Sequence, residues 1–226
     1  MHHFRAPDAG RFVSASLMIG VAFIVFGTSF GVLAVSGGAS VAQACAMSLL
    51  VFTGASQMSA VSVLASGGTL ASAFGGAVLL SGRNAVYGLA MSPVLKTGTL
   101  PSRLLGAQWV IDETTALVSA ETDPASRRTA FWISGVILYA SWNIGTLIGA
   151  LVGTSINPSD FGLDAAFPVM FTAMIAPHLR TTNGRKAALV GAIAAVVLAP
   201  FMPIGLPILV SALGMLFGLS PEKKTT

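Results

Sequence analysis

An all-α, polytopic membrane bundle is the fold class this sequence predicts, and three observations predict it. No Asp, Glu, Lys, Arg or His occurs in the 71 residues between Arg11 and Arg83. Residues 187–221 are likewise uncharged. Of the 226 residues, 54% are hydrophobic and only 9% charged, with a mean hydropathy of +0.82; a soluble domain carries about 25% charged residues. A helical crossing of a bilayer core needs about 20 apolar residues. The first uncharged run, interrupted by Gly37-Gly38 and Gly67-Gly68, therefore reads as three consecutive spans.

The elements follow in order. The spacing predicts a first helix over about 13–35, a second over 40–66 and a third over 69–95, with Pro93 near its end. The first run is too long for a signal-peptide core and lacks a small-x-small cleavage site, so it reads as a retained helix. Segment 104–122 is apolar at Leu104, Leu105 and Trp109 to Ile111, meets Asp112-Glu113, then turns apolar again. The loop 121–128 is charged. A fifth helix over 129–154 and a sixth over 163–179, holding Pro168, come next. The last apolar stretch, about 186–219, is too long for one straight crossing of a core about 30 Å thick. Pro200, Pro203 and Pro207 divide it into a broken helix or a hairpin. The total is seven spans, or eight if the last stretch is two, in one transmembrane domain.

Basic residues at the ends of apolar segments set orientation. If segment 104–122 crosses, Arg5, Arg11, Arg127, Arg128, Arg180, Arg185 and Lys186 share one side, against Lys96 and Arg103 opposite. Lys223 and Lys224 join the majority if the last stretch is two spans. If it does not cross, the asymmetry shrinks. The count thus favours a crossing fourth segment and a cytoplasmic N-terminus. The net charge of +4 is then an orienting charge, with no nucleic-acid partner implied.

A weak internal repeat points the same way. Met91 to Lys96 resembles Met174 to Arg180, and Phe52 to Gln57 resembles Leu138 to Asn143, at offsets of 84 to 86 residues. The repeat units run over about 13–96 and 104–180. Three spans per unit means the second copy is inserted upside-down, an architecture recurrent in secondary transporters. The alternative is chance similarity between Gly/Ala-rich apolar stretches.

Few side chains can carry chemistry inside such a bundle. Arg83 stands in otherwise apolar sequence, where a lone guanidinium costs at least about 2.5–3.5 kcal/mol. It reads as a binder of carboxylate, or as a snorkelling or structurally paired cation. Asp112 and Glu113 are its acidic counterparts. A carboxyl in low dielectric favours its neutral form and could relay a proton; at the interface both acids would simply be solvated. Gln57 and Asn143 occupy equivalent repeat positions, and Thr53, Ser56 and Gln57 share one helical arc. Such residues hold substrate or bond helices together. Gly145, Gly149 and Gly153, with Gly27 and Gly31, are GxxxG-type packing runs. Cys45 is single, so an internal disulfide is excluded, and it reads as a packing residue. His2 and His3 read as a mobile terminus. No Walker glycine loop, HExxH or Ser/His/Asp set is present, so no ATP motor, cofactor, metal site or enzyme is expected; nor is a channel filter.

Several stretches in order resemble the AzlC family of branched-chain amino-acid exporters: Gly31 to Val35, Met47 to Gln57, Asp112-Glu113-Thr114, Leu138 to Thr146, and Phe167-Pro168 through Arg180. Where that family has Asn-x-Arg-His in its third span, this chain has Ser81-Gly82-Arg83-Asn84, keeping the arginine and replacing its flanks. The resemblance implies export of valine, leucine, isoleucine or similar compounds across the bacterial cytoplasmic membrane, and a small AzlD-like membrane subunit as partner. On this reading Arg83, Gln57, Asn143, Ser56 and Asn84 hold the substrate, and Asp112 or Glu113 couples proton movement to it. The altered flanks leave open another small zwitterionic substrate. A different class of reading is a non-transporting scaffold subunit in which the same charges form a structural ion pair.

Overall fold

The computed structural model describes residues 6–155, 175–204 and 206–218, together with positions 169 and 172. The sixth span expected over 163–179 lies mostly outside these residues, as do Pro168, His2, His3, Arg5, Lys223 and Lys224. Every element formed by the described residues is helical.

Three long helices make the frame: α1 (Ala6–Ser36), α4 (Leu70–Leu95) and α7 (Pro124–Gly153). Two pairs of short helices stand between them, α2 (Val41–Leu50) with α3 (Ala55–Ala65), and α5 (Leu100–Gln108) with α6 (Asp112–Ser119). By length and composition α1 and α7 are apolar enough to cross a membrane. The long α4 carries Ser72, Ser81, Arg83 and Asn84 and is less apolar. Both outer frame helices begin earlier than the apolar pattern alone suggests. In α7 the cause is local: the Asp123 carboxylate accepts the Ser126 N–H at 2.8 Å and Pro124 takes the first turn, so Arg127 and Arg128 are already helical.

Small residues bind α1 to α7, and their partners advance in step. A Cβ on Gly20 would meet Ser141 at 2.8 Å, one on Gly31 the Thr146 carbonyl at 2.2 Å, and one on Gly149 the Thr28 carbonyl at 2.0 Å. The two helices therefore run parallel, backbone against backbone. Arg11 and Glu121 close the same end with a 2.9 Å ion pair.

The helix expected over 40–66 is not one crossing. Gln57 Nε2 donates to the Met47 carbonyl at 3.1 Å, although ten residues of straight helix would separate them by about 15 Å. Met47 also packs against the buried cluster of Ala60, Val63 and Ala73. So the chain doubles back as a hairpin, with its α2 arm packed on α7 and its α3 arm on α4. Its base is at the C-terminal end of α1, where Gly37 lies 3.3 Å from the Ala65 side chain by the same Cβ measure. Its tip is Val51 to Gly54. The turn needs glycine: Gly54 has φ +59°, where L side chains are strained.

Segment 104–122 is a second hairpin, inserted from the other end. Gly106 packs against Phe131 and Trp132, near the start of α7, and Gly135 against Trp109. The chain then turns at Trp109 to Ile111 and returns along α6 to Glu121 beside Arg11. Thr114 pins this tip, its hydroxyl accepting the Ile111 N–H at 3.1 Å and donating to the Trp109 carbonyl at 2.8 Å. The two tips carry like caps, Gly54 with Gln57 and Ile111 with Thr114, three residues apart in each. The offset of 84 to 86 residues is not the one these helices follow, since it lays a bent segment on the continuous α7.

Two corrections to the charge map follow. Segment 104–122 returns to the end it starts from instead of crossing. Lys96 and Arg103 do not oppose the other basic residues, because α4 ends beside the start of α7, where Arg128 donates to the Thr97 hydroxyl. At the C-terminus, α8 (Thr182–Leu198) leads to a turn at Ala199 to Ile204 whose Ile204 carbonyl lies against Gly68. The chain then returns through α9 (Leu206–Ser211) and a 3-10 helix (Ala212–Gly218), with Gly214 tight against Gly191. The expected break is thus a hairpin. Arg11, Lys96, Arg103, Arg127, Arg128, Arg180, Arg185 and Lys186 all lie at the end of the bundle where α1 begins; the links 37–40 and 66–69 at the other end carry no charge.

Candidate functional site

The hairpin tips meet in the middle of the bundle, and a cavity of about 280 Å³ opens between them. Phe52 to Ala55 come from the first tip and Ile111 to Glu113 from the second. Two helix N-termini, those of α3 and α6, thus face one space, each bringing a partial positive charge. From α4 come Arg83 and Asn84, and from α7 comes Trp142. The apolar wall is Ile19, Phe23 and Phe26 of α1 with Phe52, Ile111 and the Trp142 ring. Phe23 meets Trp142 edge-on at 5.9 Å between centroids, and Phe30 stacks behind it at 6.0 Å, so this wall is set by packed rings.

Arg83 and Asp112 bond across the cavity edge, Nη1 to Oδ2 at 2.8 Å. Neither is deeply buried; their side chains are 33% and 27% exposed. Tyr87, one turn along α4, also faces Asp112. The pair is not saturated. Arg83 Nε and Asp112 Oδ1 are buried and bond to nothing, as is Trp142 Nε1. All three atoms belong to residues that line the cavity and have hydrogen-bonding capacity unspent within the protein. The Arg83 fork offers donors for a carboxylate, the two acids accept from an ammonium, and the rings hold an apolar side chain.

Of the residues singled out from the sequence, the fold brings Arg83, Asn84, Asp112, Glu113 and Thr53 to this cavity, Thr53 from the turn before α3 and not from a helical arc shared with Ser56 and Gln57. Gln57, Ser56 and Asn143 do not line it. Gln57 is fully buried and spent on the hairpin: Oε1 accepts the Gly54 N–H at 3.2 Å and the Thr53 N–H at 3.4 Å, and Nε2 holds Met47. The Ser56 hydroxyl bonds to Thr53 and receives Ser81 at 3.2 Å. Asn143 turns back onto the Tyr139 carbonyl at 2.8 Å, leaving its neighbour Trp142 on the cavity. Sequence reasoning passed over Phe23, Phe26, Phe52 and Trp142, since an aromatic residue in an apolar helix carries no mark of the face it takes. Gly54, just after Phe52-Thr53, was the available signal of a tip.

Residues 18–156 match the family described as AzlC protein, a stretch containing every residue around the cavity. An uncharacterized membrane protein of Helicobacter pylori (strain ATCC 700392 / 26695) is 27% identical over 200 residues, covering 87% of this chain and 86% of the relative. The inner membrane protein YgaZ of Escherichia coli (strain K12) is 29% identical over 206 residues, covering 85% and 84%. A second uncharacterized membrane protein of Helicobacter pylori, from strain J99 / ATCC 700824, is 29% identical over 204 residues, covering 89% of each. No solved structure matches this chain.

Proposed function

This chain belongs to the AzlC family of membrane proteins, and on that footing we propose that it is a secondary transporter exporting branched-chain or other small hydrophobic amino acids. One observation carries the reading: an unsaturated Arg83–Asp112 pair facing an aromatic-walled cavity between two hairpin tips. A zwitterion fits that chemistry. Its carboxylate takes the Arg83 fork and the N-terminus of α3, its ammonium takes Asp112 and Glu113, and its aliphatic group lies on Phe23, Phe26 and Phe52. Binding exchanges one ion pair for two, so the charges are never left bare. Glu113 is the acid free to carry a proton, and it supplies the coupling.

Discontinuous helices meeting at a midplane site are a recurrent device of transporters with inverted repeats. The hairpins α2/α3 and α5/α6, entering from opposite ends, support such a relation in this bundle. The concentration of basic residues at one end supports an N-terminus in the cytoplasm and a multi-pass chain in the inner membrane. A small AzlD-like membrane subunit, which the family resemblance implies, completes the proposed transporter.

The test is efflux of labelled leucine, valine and isoleucine from proteoliposomes, with and without that subunit. Arg83→Lys, which keeps the charge and loses the fork, is expected to abolish saturable transport. Glu113→Gln, which removes one of the two acids around the ammonium, is expected to weaken leucine binding and to remove the response to a pH gradient. Saturable leucine transport unchanged in Arg83→Lys would overturn the site. A second reading, a scaffold subunit that moves nothing, rests on the same 2.8 Å pair taken as structural; it predicts no leucine binding by folded protein.

A further inference from the structure

A second cavity, of about 400 Å³, lies directly beside the first. Phe52, Thr53 and Asn84 line both. Nothing thicker than those side chains therefore separates the two spaces. The second cavity follows one stripe of α4, Asn84, Gly88 and Leu95, residues spaced so as to share a helix face. Asn84 to Leu95 spans about 16 Å of helix, roughly half of a bilayer core about 30 Å thick. Its other wall comes from the second hairpin, at Ala107 and Gln108 of α5 and Val110 of the tip. Both walls lie in the half of the bundle nearest the N-terminus of α1, and Lys96 follows directly on Leu95.

We propose that this second cavity is the cytoplasmic access path to the substrate site, and that Phe52 and Asn84 form the gate between them. The inference deepens the transport reading and rests on it. The gate is hung on the first hairpin, because Phe52 sits at its tip. One carbonyl joins that tip to both of its neighbours: Leu49 accepts Gln108 Nε2 at 3.1 Å and Tyr139 Oη at 2.9 Å. Breaking those two bonds loosens the tip from the second hairpin, while the buried Ser48–Thr146 hydroxyl contact at 3.0 Å keeps the body of α2 on α7. Polar groups along the path are few, Thr53, Asn84 and Gln108, which suits an amino acid whose side chain is apolar.

Cysteine accessibility tests this in the full-length chain with Cys45→Ala. Gly88→Cys places a thiol in the second cavity, where an added Cβ meets nothing within 4 Å. Ala22→Cys places one in the first. A membrane-impermeant methanethiosulfonate is added to right-side-out and to inverted vesicles, with no amino acid present. Gly88→Cys is expected to react from the N-terminal side and not from the other. Adding Phe52→Ala is expected to raise the Ala22→Cys rate from that same side by about tenfold or more, since accessibility follows the fraction of open gate; Phe52→Leu, the milder change if Phe52→Ala folds poorly, gives a smaller rise. Reaction of Gly88→Cys from the far side alone or from neither, or an Ala22→Cys rate that neither Phe52 variant changes, overturns the proposal. Leucine binding, measured separately by scintillation proximity, keeps the two readings apart. Its absence with the expected labelling pattern sinks the transport reading, and its presence with the wrong pattern sinks the gate alone.

Discussion

Removing one partner of the Arg83–Asp112 pair should destabilise the protein more than removing both. The contact is 2.8 Å, with side chains 33% and 27% exposed. An exposed ion pair is worth about 0–1 kcal/mol, while stripping one partner from a fully buried pair costs about 3–5 kcal/mol. Exposure of about a third calls for a discount, so each of Asp112→Asn and Arg83→Gln is expected to cost about 1–3 kcal/mol. In a chain of this size that is a fall in Tm of about 2–12 °C, read by fluorescence-monitored melting in detergent. The double variant leaves neither member of the pair without its partner and should cost less than either single variant, so the coupling energy should exceed each single cost in magnitude. It should nonetheless bind no leucine, because the fork that takes the carboxylate is gone. Strict additivity of the two single variants would refute the pairing. Full transport by the double variant would refute the site.

Gly149→Ala drives a Cβ to 2.0 Å from the Thr28 carbonyl and should cost about 1–3 kcal/mol or more by overpacking, whereas Gly82→Ala, with nothing within 4 Å, should leave the melting temperature unchanged or raise it slightly. Gln57→Leu strands the Gly54 and Thr53 N–H groups at the first tip, at about 1–3 kcal/mol for each group left unsatisfied; Gln57→Glu, which can still accept them, should cost less, and equal melting curves for both would refute the splint. Single cysteines at Thr97 and Gly10 should label from the same face of the membrane and one at Gly67 from the opposite face, which gel-shift labelling of vesicles reads directly.

Much of the fold class was legible in the sequence because hydrocarbon admits few charges. The empty run from Arg11 to Arg83 and the prolines at 200, 203 and 207 marked apolar helices and the turn in the last stretch without reference to neighbours. The charged residues of the site were legible for the same reason: Arg83, Asp112 and Glu113 stood out against an apolar background. The hairpins were not. An apolar stretch of 27 residues reads as one crossing whether it runs straight or doubles back, since hydropathy measures the medium and not the direction of the chain. Gln57 and Asn143 show the same limit. An amide in an apolar helix must bond to something, yet whether to a ligand or to a backbone carbonyl depends on what the turn places within 3 Å.

Local chemistry, then, dictated which segments leave water and which side chains are too costly to leave alone there, because solvation is settled residue by residue. Only the packed bundle decided where those side chains meet. Two tips from opposite ends, one closed by a glycine and an amide and the other by a threonine, bring residues about sixty positions apart to one cavity. That arrangement depends on long-range contacts, above all the glycine-lined seam between α1 and α7, and no local property of the chain encodes it.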